Sequence, residues 1–101
     1  MPGGRENAAI GDGSFAAGCR AKATNDGTFV WADKYPADFN STATNQFLIR
    51  ATNGVGVNVN NPDPGGVSIA SQGTALELRR GSIRVTGAGL NSSRPAPLAN
   101  W

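Results

Sequence analysis

The chain has 101 residues, a formal charge of +2, no histidine and a single cysteine, Cys19. These facts exclude an intrachain disulfide and the Ser-His-Asp and Cys-His pairs that activate nucleophiles. The nine Lys and Arg are scattered, with Arg79-Arg80 the one adjacent pair, so no nucleic-acid interface is expected.

Size allows a single domain. Ile, Leu, Val and Phe together make 19 residues, a lean core filled out by Ala and Gly. So small a chain generally relies on metals, disulfides or oligomerisation, and oligomerisation is the source of stability expected here. No apolar run approaches the ~18 residues of a membrane span. Residues 1–7 are Gly- and charge-rich, hold no stretch suited to a signal peptide, and are expected to fray.

Residues 8–50 carry a repeat. Gly13-Ser14-Phe15-Ala16-Ala17-Gly18 returns 14 residues later as Gly27-Thr28-Phe29-Val30-Trp31-Ala32. A third copy, Asn45-Gln46-Phe47-Leu48-Ile49-Arg50, follows after 18 more, so four residues are inserted around Tyr35-Pro36-Ala37-Asp38. Fixed-period similarity signals a stacked solenoid, and a period this short makes each copy one coil of extended chain. In columns, Phe15, Phe29 and Phe47 align, Ala17, Trp31 and Ile49 align, and Ala16, Val30 and Leu48 alternate with them. Strand side chains alternate between faces, so both faces are apolar until Arg50. One face can fill a coil; the other needs a partner. Phe15, Phe29, Val30, Phe47, Leu48 and Ile49 are therefore the expected core or subunit interface.

Cys19, Ala21 and Ala23 alternate with Arg20, Lys22 and Thr24, the pattern of a small-in, polar-out strand. Asn25-Asp26-Gly27 supplies a turn. Residues 34–44 lack periodicity and predict a loop, with room for a short helical turn at Pro36–Asn40. Residues 46–52 then predict a strand, Asn53-Gly54 a type I′ turn and residues 55–59 a return strand, which makes a hairpin. Turn residues at 60–66 divide the chain into 1–64 and 65–101. Residues 67–71, 74–79 and 82–86 predict a short meander, followed by an extended tail in which Leu98 and Trp101 are candidates to dock on a neighbour.

Ala9-Ile10-Gly11, Gly13-Ser14-Phe15-Ala16-Ala17-Gly18, Ala21-Lys22-Ala23 and Gly27-Thr28-Phe29-Val30-Trp31-Ala32 resemble the head repeats of trimeric autotransporter adhesins and related tail-fibre-like proteins. Gln46-Phe47-Leu48-Ile49-Arg50-Ala51, Gly54-Val55-Gly56-Val57-Asn58 and Asn61-Pro62 resemble the segment that follows such repeats. The resemblance covers residues 8–64. It implies an all-β, left-handed parallel β-roll assembled as a homotrimer. Its role would be in adhesion or fibre structure, not catalysis, at a cell surface or in a phage or fibre particle. The partners it implies are further copies of the chain, other fibre subunits or a surface glycan. The chain is much shorter than the family, with no coiled-coil stalk, membrane anchor or chaperone domain to be read in it.

Candidate chemistry is sparse. Trp31 and Tyr35 flank Asp33 and Lys34, a set able to stack a sugar ring and bond its hydroxyls. Asp33 and Asp38 form a conceivable carboxylate pair, although Asp33 reads first as a strand end that caps a loop. Asp12 and Asp26 each precede a repeat glycine and read as turn formers before calcium ligands. Asn58, Asn60, Asn61 and Asp63 are oxygen-rich but lack the acidity of a calcium loop. Gly11-Asp12-Gly13 and Gly54-Val55-Gly56 are fragments of phosphate-loop patterns with no helix predicted after them. Cys19, beside Arg20 and Lys22, reads as a small buried residue before a reactive thiolate. No metal or cofactor is expected.

Overall fold

A computed structural model describes residues 4–87. Among them are nine short strands and no helix, arranged as a parallel β-solenoid of about five turns. Strands β1 (Gly4–Arg5), β3 (Phe15–Cys19), β5 (Phe29–Ala32) and β7 (Phe47–Arg50) form one parallel sheet in that order. Strands β2 (Ala8–Ala9), β4 (Ala21–Ala23) and β6 (Phe39–Asn40) form a second. The pairing reproduces the repeat: Phe15 lies opposite Phe29, and Phe29 opposite Phe47. Expected to fray, Gly4–Arg5 instead pairs with Gly18–Cys19 as an earlier rung.

The register locates the insertion. Gly18 pairs with Ala32, 14 residues on, while Ala21 pairs with Phe39, 18 residues on. The extra residues therefore enter between Ala32 and Phe39, at the corner joining the two sheets, and leave both ladders intact.

Side chains at one parity of the first sheet point into the coil. The interior is filled by Ala16, Val30 and Ala32 from that sheet and by Ala21 and Ala23 from the second, all 0% exposed. Phe39 and Leu48 pack against this cluster. Two sheets so close together admit little beyond methyl groups, which is why the columns are Ala-rich. Burial of Val30, the largest fully buried side chain, contributes roughly 2 kcal/mol.

The corners are held by backbone geometry and polar groups. Gly13, Gly27 and Asn45 occupy equivalent turns with φ of 66°, 67° and 62°. Glycine adopts this region freely, and asparagine is among the few side chains that tolerate it. Ser41 Oγ accepts from the amides of Thr24 (3.0 Å) and Asn25 (3.1 Å) and donates to Asn25 Oδ1 (2.7 Å), so a buried hydroxyl is fully partnered. Asp26 Oδ1 accepts from the Asp12 amide at 2.8 Å, in keeping with turn chemistry at both aspartates.

Two expectations are corrected at the C-terminal side. Gly54 N donates to Ala51 O at 2.9 Å, so the central residues of the turn are Thr52 and Asn53, neither with positive φ. A type I′ hairpin needs positive φ at both central positions. The chain accordingly does not fold back on β7; β8 (Val55–Val57) pairs in parallel with β9 (Val67–Ile69), one shorter coil later. The expected meander is absent beyond β9: residues 74–79 and 82–86 form no strand, and every residue from 71 to 87 is exposed. Alternating apolar residues cannot stabilise a strand when no chain covers their face. By contact the chain divides between Ser71 and Gln72 into two units. The described part of the second unit contains an exposed ion pair, Arg79 with Glu77 at 3.5 Å. The tail residues Leu98 and Trp101 lie outside the described residues.

Candidate functional site

Two surface features of the first unit carry chemistry. The first is the outward face of the four-stranded sheet. Phe15, Phe29 and Phe47 stack along it with ring centroids 4.6 and 4.4 Å apart and planes within 3° of parallel. Beside them runs the column of Ala17, Trp31 and Ile49. Phe47 is 69% exposed, and Phe15, Trp31 and Ile49 are exposed as well. Of the residues expected in the core or interface, Val30 and Leu48 therefore face the interior, whereas Phe15, Phe29, Phe47 and Ile49 face outward.

The second feature grows from the inserted corner. Arg50 ends β7 in the column of Gly18 and Ala32, so its side chain points inward beneath the loop of residues 33–38. Its Nε donates to Asp33 Oδ1 at 2.9 Å, Nη1 to Ala37 O at 2.8 Å, and Nη2 to Tyr35 O at 2.9 Å and Asp33 O at 3.3 Å. The guanidinium lies 5.2 Å from the Phe39 ring centroid and 5.5 Å from that of Tyr35, within cation–π range. One arginine thus holds the whole loop in a single shape. The fixed fork of donors suits it to this task better than lysine.

Asp33 completes the clamp. Oδ1 also accepts from the Tyr35 amide at 3.2 Å, and Oδ2 from both the amide and the hydroxyl of Thr52. These bonds, the Thr52 hydroxyl first and the Arg50 guanidinium among the rest, hold its carboxyl well below the usual carboxylate range against an opposing effect of burial. Asp33 is therefore a loop cap, in line with its first reading.

The loop walls a shallow groove of about 420 Å³, lined by Trp31, Asp33, Lys34, Tyr35, Thr52 and Asn53 among others. The structure thus brings together Trp31, Asp33 and Tyr35, the three residues singled out as possible ligand contacts. Tyr35 is 59% exposed. A neighbouring groove of about 480 Å³ is bordered by Arg5, Glu6, Cys19, Arg20, Lys34 and Pro36.

Asp33 and Asp38 do not act on a common point: Asp33 is paired with Arg50, Asp38 with Arg20, each at 2.9 Å. Arg20 also lies 3.9 Å from Glu6, and its pKa is raised by the Asp38 hydrogen bond and the nearby carboxylates. Cys19 is half-buried and does not share a face with Ala21 and Ala23. The corner at Arg20, where φ is 63°, separates β3 from β4 and puts Cys19 at the outward parity of Phe15 and Ala17. Asn58 is occupied with the Ala70 carbonyl, and no cluster of three acidic, thiol or imidazole groups occurs among the described residues. No helix among them is long and apolar enough to cross a membrane.

The residues that sequence reasoning missed are Arg50 and Thr52. An arginine closing an apolar strand at an inward parity is the signal that marks Arg50; its partners are mainly backbone carbonyls and leave no trace in composition. Comparison of the chain with protein-family models, curated proteins and solved structures gives no match.

Proposed function

We propose that the chain is a non-enzymatic structural or adhesive module, a left-handed β-roll that assembles as a homotrimer through the outward face of its four-stranded sheet. The observation that carries this reading is the pair of apolar columns, Phe15-Phe29-Phe47 and Ala17-Trp31-Ile49, on a sheet face turned to solvent in the single chain. Burial of such surface drives association. The resemblance of the repeats to adhesin heads points the same way, as does the separate pairing of Asp33 with Arg50 and of Asp38 with Arg20, which keeps those two carboxylates from acting together. A surface setting, on a cell or a fibre particle, belongs to the same proposal.

Light scattering on the full chain tests it: the expected mass is three times that of the 10.3 kDa chain. Phe47→Lys should lower that mass without loss of β-structure. A monomer at micromolar concentration would sink the assembly.

A second reading, a small carbohydrate-binding module, is favoured by one observation: Trp31 and Tyr35 line the same groove as Lys34 and Asn53. A glycan panel with no binding, or binding unchanged by Tyr35→Ala, counts against it.

A further inference from the structure

Resting on the carbohydrate reading of the groove, we infer that its ligand is an acidic sugar, one that carries a carboxylate or a sulfate, held by Lys34 and stacked on the aromatic wall of Trp31 and Tyr35. The inference follows from which groups in the groove remain available. Asp33 supplies its one carboxylate, and both oxygens are already spent, on Arg50 and the Tyr35 amide at Oδ1 and on Thr52 at Oδ2. A carboxylate accepts about four hydrogen bonds, so none of this capacity is left for a sugar hydroxyl. Asp33 is thereby a positioning residue for the loop and not a ligand contact.

What remains is rich in donors. Lys34 lines the groove and has no carboxylate in ion-pair range among the described residues. It also borders the adjoining groove beside Arg5, where Arg20 is already paired with Asp38 and Glu6. Asn53 offers an amide, and Tyr35 and Trp31 offer ring faces with a polar edge. A neutral sugar would satisfy the rings but leave the ammonium without a counter-charge. An anionic group on the ring satisfies both, because a charge-assisted hydrogen bond is about twice as strong as a neutral one. The Arg50 clamp fixes the loop before binding, so little ordering cost is expected when a ligand arrives.

Titration of the full chain by calorimetry decides the matter with three probes of matched length: a uronic-acid oligosaccharide, a sulfated oligosaccharide and a neutral gluco-oligosaccharide. An acidic probe should bind at least about tenfold more tightly than the neutral one. Lys34→Gln should erase that difference, Lys34→Arg should retain most of it, and Tyr35→Ala should weaken all binding. The tighter of the two acidic probes identifies the anionic group. Equal binding of acidic and neutral sugars, still lost on Tyr35→Ala, would overturn the charge assignment while the carbohydrate reading stands. Binding of no sugar would overturn both.

Discussion

The two apolar columns that share the strands of the large sheet have opposite fates. Ala16, Val30 and Leu48 face a narrow interior, where the limit is volume. Phe15, Phe29 and Phe47 face outward, where nothing among the described residues limits volume and the rings instead stack on one another. Hydropathy alone does not separate these columns; size does. The column of smaller residues goes inside because two sheets joined by short corners approach closely, and large flat rings find favourable contacts in a ladder at the spacing of successive strands. The same contrast explains why so lean a chain can form regular coils and still present an apolar face.

Charge substitution at neighbouring positions should break this contrast most sharply. Val30→Asp buries an unpaired carboxylate and should cost at least about 4 kcal/mol, enough to abolish the fold. Phe47→Asp, on the outer column, should leave the circular dichroism spectrum unchanged. If both variants unfold, the distinction between faces fails.

Next in size is Gly18→Ala, between Gly4 and Ala32 in an inner column. Gly18 has φ of 99°, and an added Cβ would fall 1.8 Å from the Ala32 carbonyl oxygen. About 3 kcal/mol should be lost, seen as a lower urea midpoint with an unchanged slope.

Arg50→Met tests the inner column where it turns polar. It strands the loop carbonyls and Asp33, at a cost of about 2 kcal/mol. The same site has a pH signature. Because the folded-state pKa of Asp33 lies below its unfolded value of about 3.9, its contribution is complete above that pH and declines as acid is added below about pH 4. Unfolding of wild type and Asp33→Asn by urea at pH 7 and pH 3 should show the smaller acid loss in the variant. Thr52→Val and Arg50→Met should each reduce that loss, since the Thr52 hydroxyl and the Arg50 guanidinium both favour the ionised carboxyl.

The smallest effect is expected in the ladder itself. Phe29→Leu keeps the apolar surface and removes two ring contacts, for about 1 kcal/mol in thermal denaturation of the dilute chain.

Much of this architecture is legible in the sequence, for reasons particular residues make clear. The 14-residue offset, the alignment of Asn45 with Gly13 and Gly27, and the place of the four extra residues all survive as register, because each reflects a local backbone requirement repeated along the chain. The alternation of the strands announces two apolar faces but not which is inside. Asn53-Gly54 has the composition of a type I′ turn and so predicts a hairpin, whereas the turn that forms is set one residue earlier and Thr52 is tied to Asp33. Arginine at position 20 gives no compositional hint of a positive φ, so the alternation alone groups Cys19 with Ala21 and Ala23, away from the face it takes. Within the groove, Trp31, Asp33 and Tyr35 were visible as neighbours in the chain. That Asp33 is saturated is not legible, since three of its four hydrogen bonds come from residues 17 and 19 positions away.

The shift in register at residues 33–38 has a wider consequence. Extra residues entered at a corner, and the next rung still found Phe47 under Phe29. The perimeter of a coil is thereby uncoupled from its pitch: one turn can grow a longer rim without disturbing the turns stacked on either side, as expected when each repeat touches only its neighbours. In such a molecule the corners are free text and the ladders are grammar. New recognition surface can be written by insertion at an edge while the folding problem stays solved.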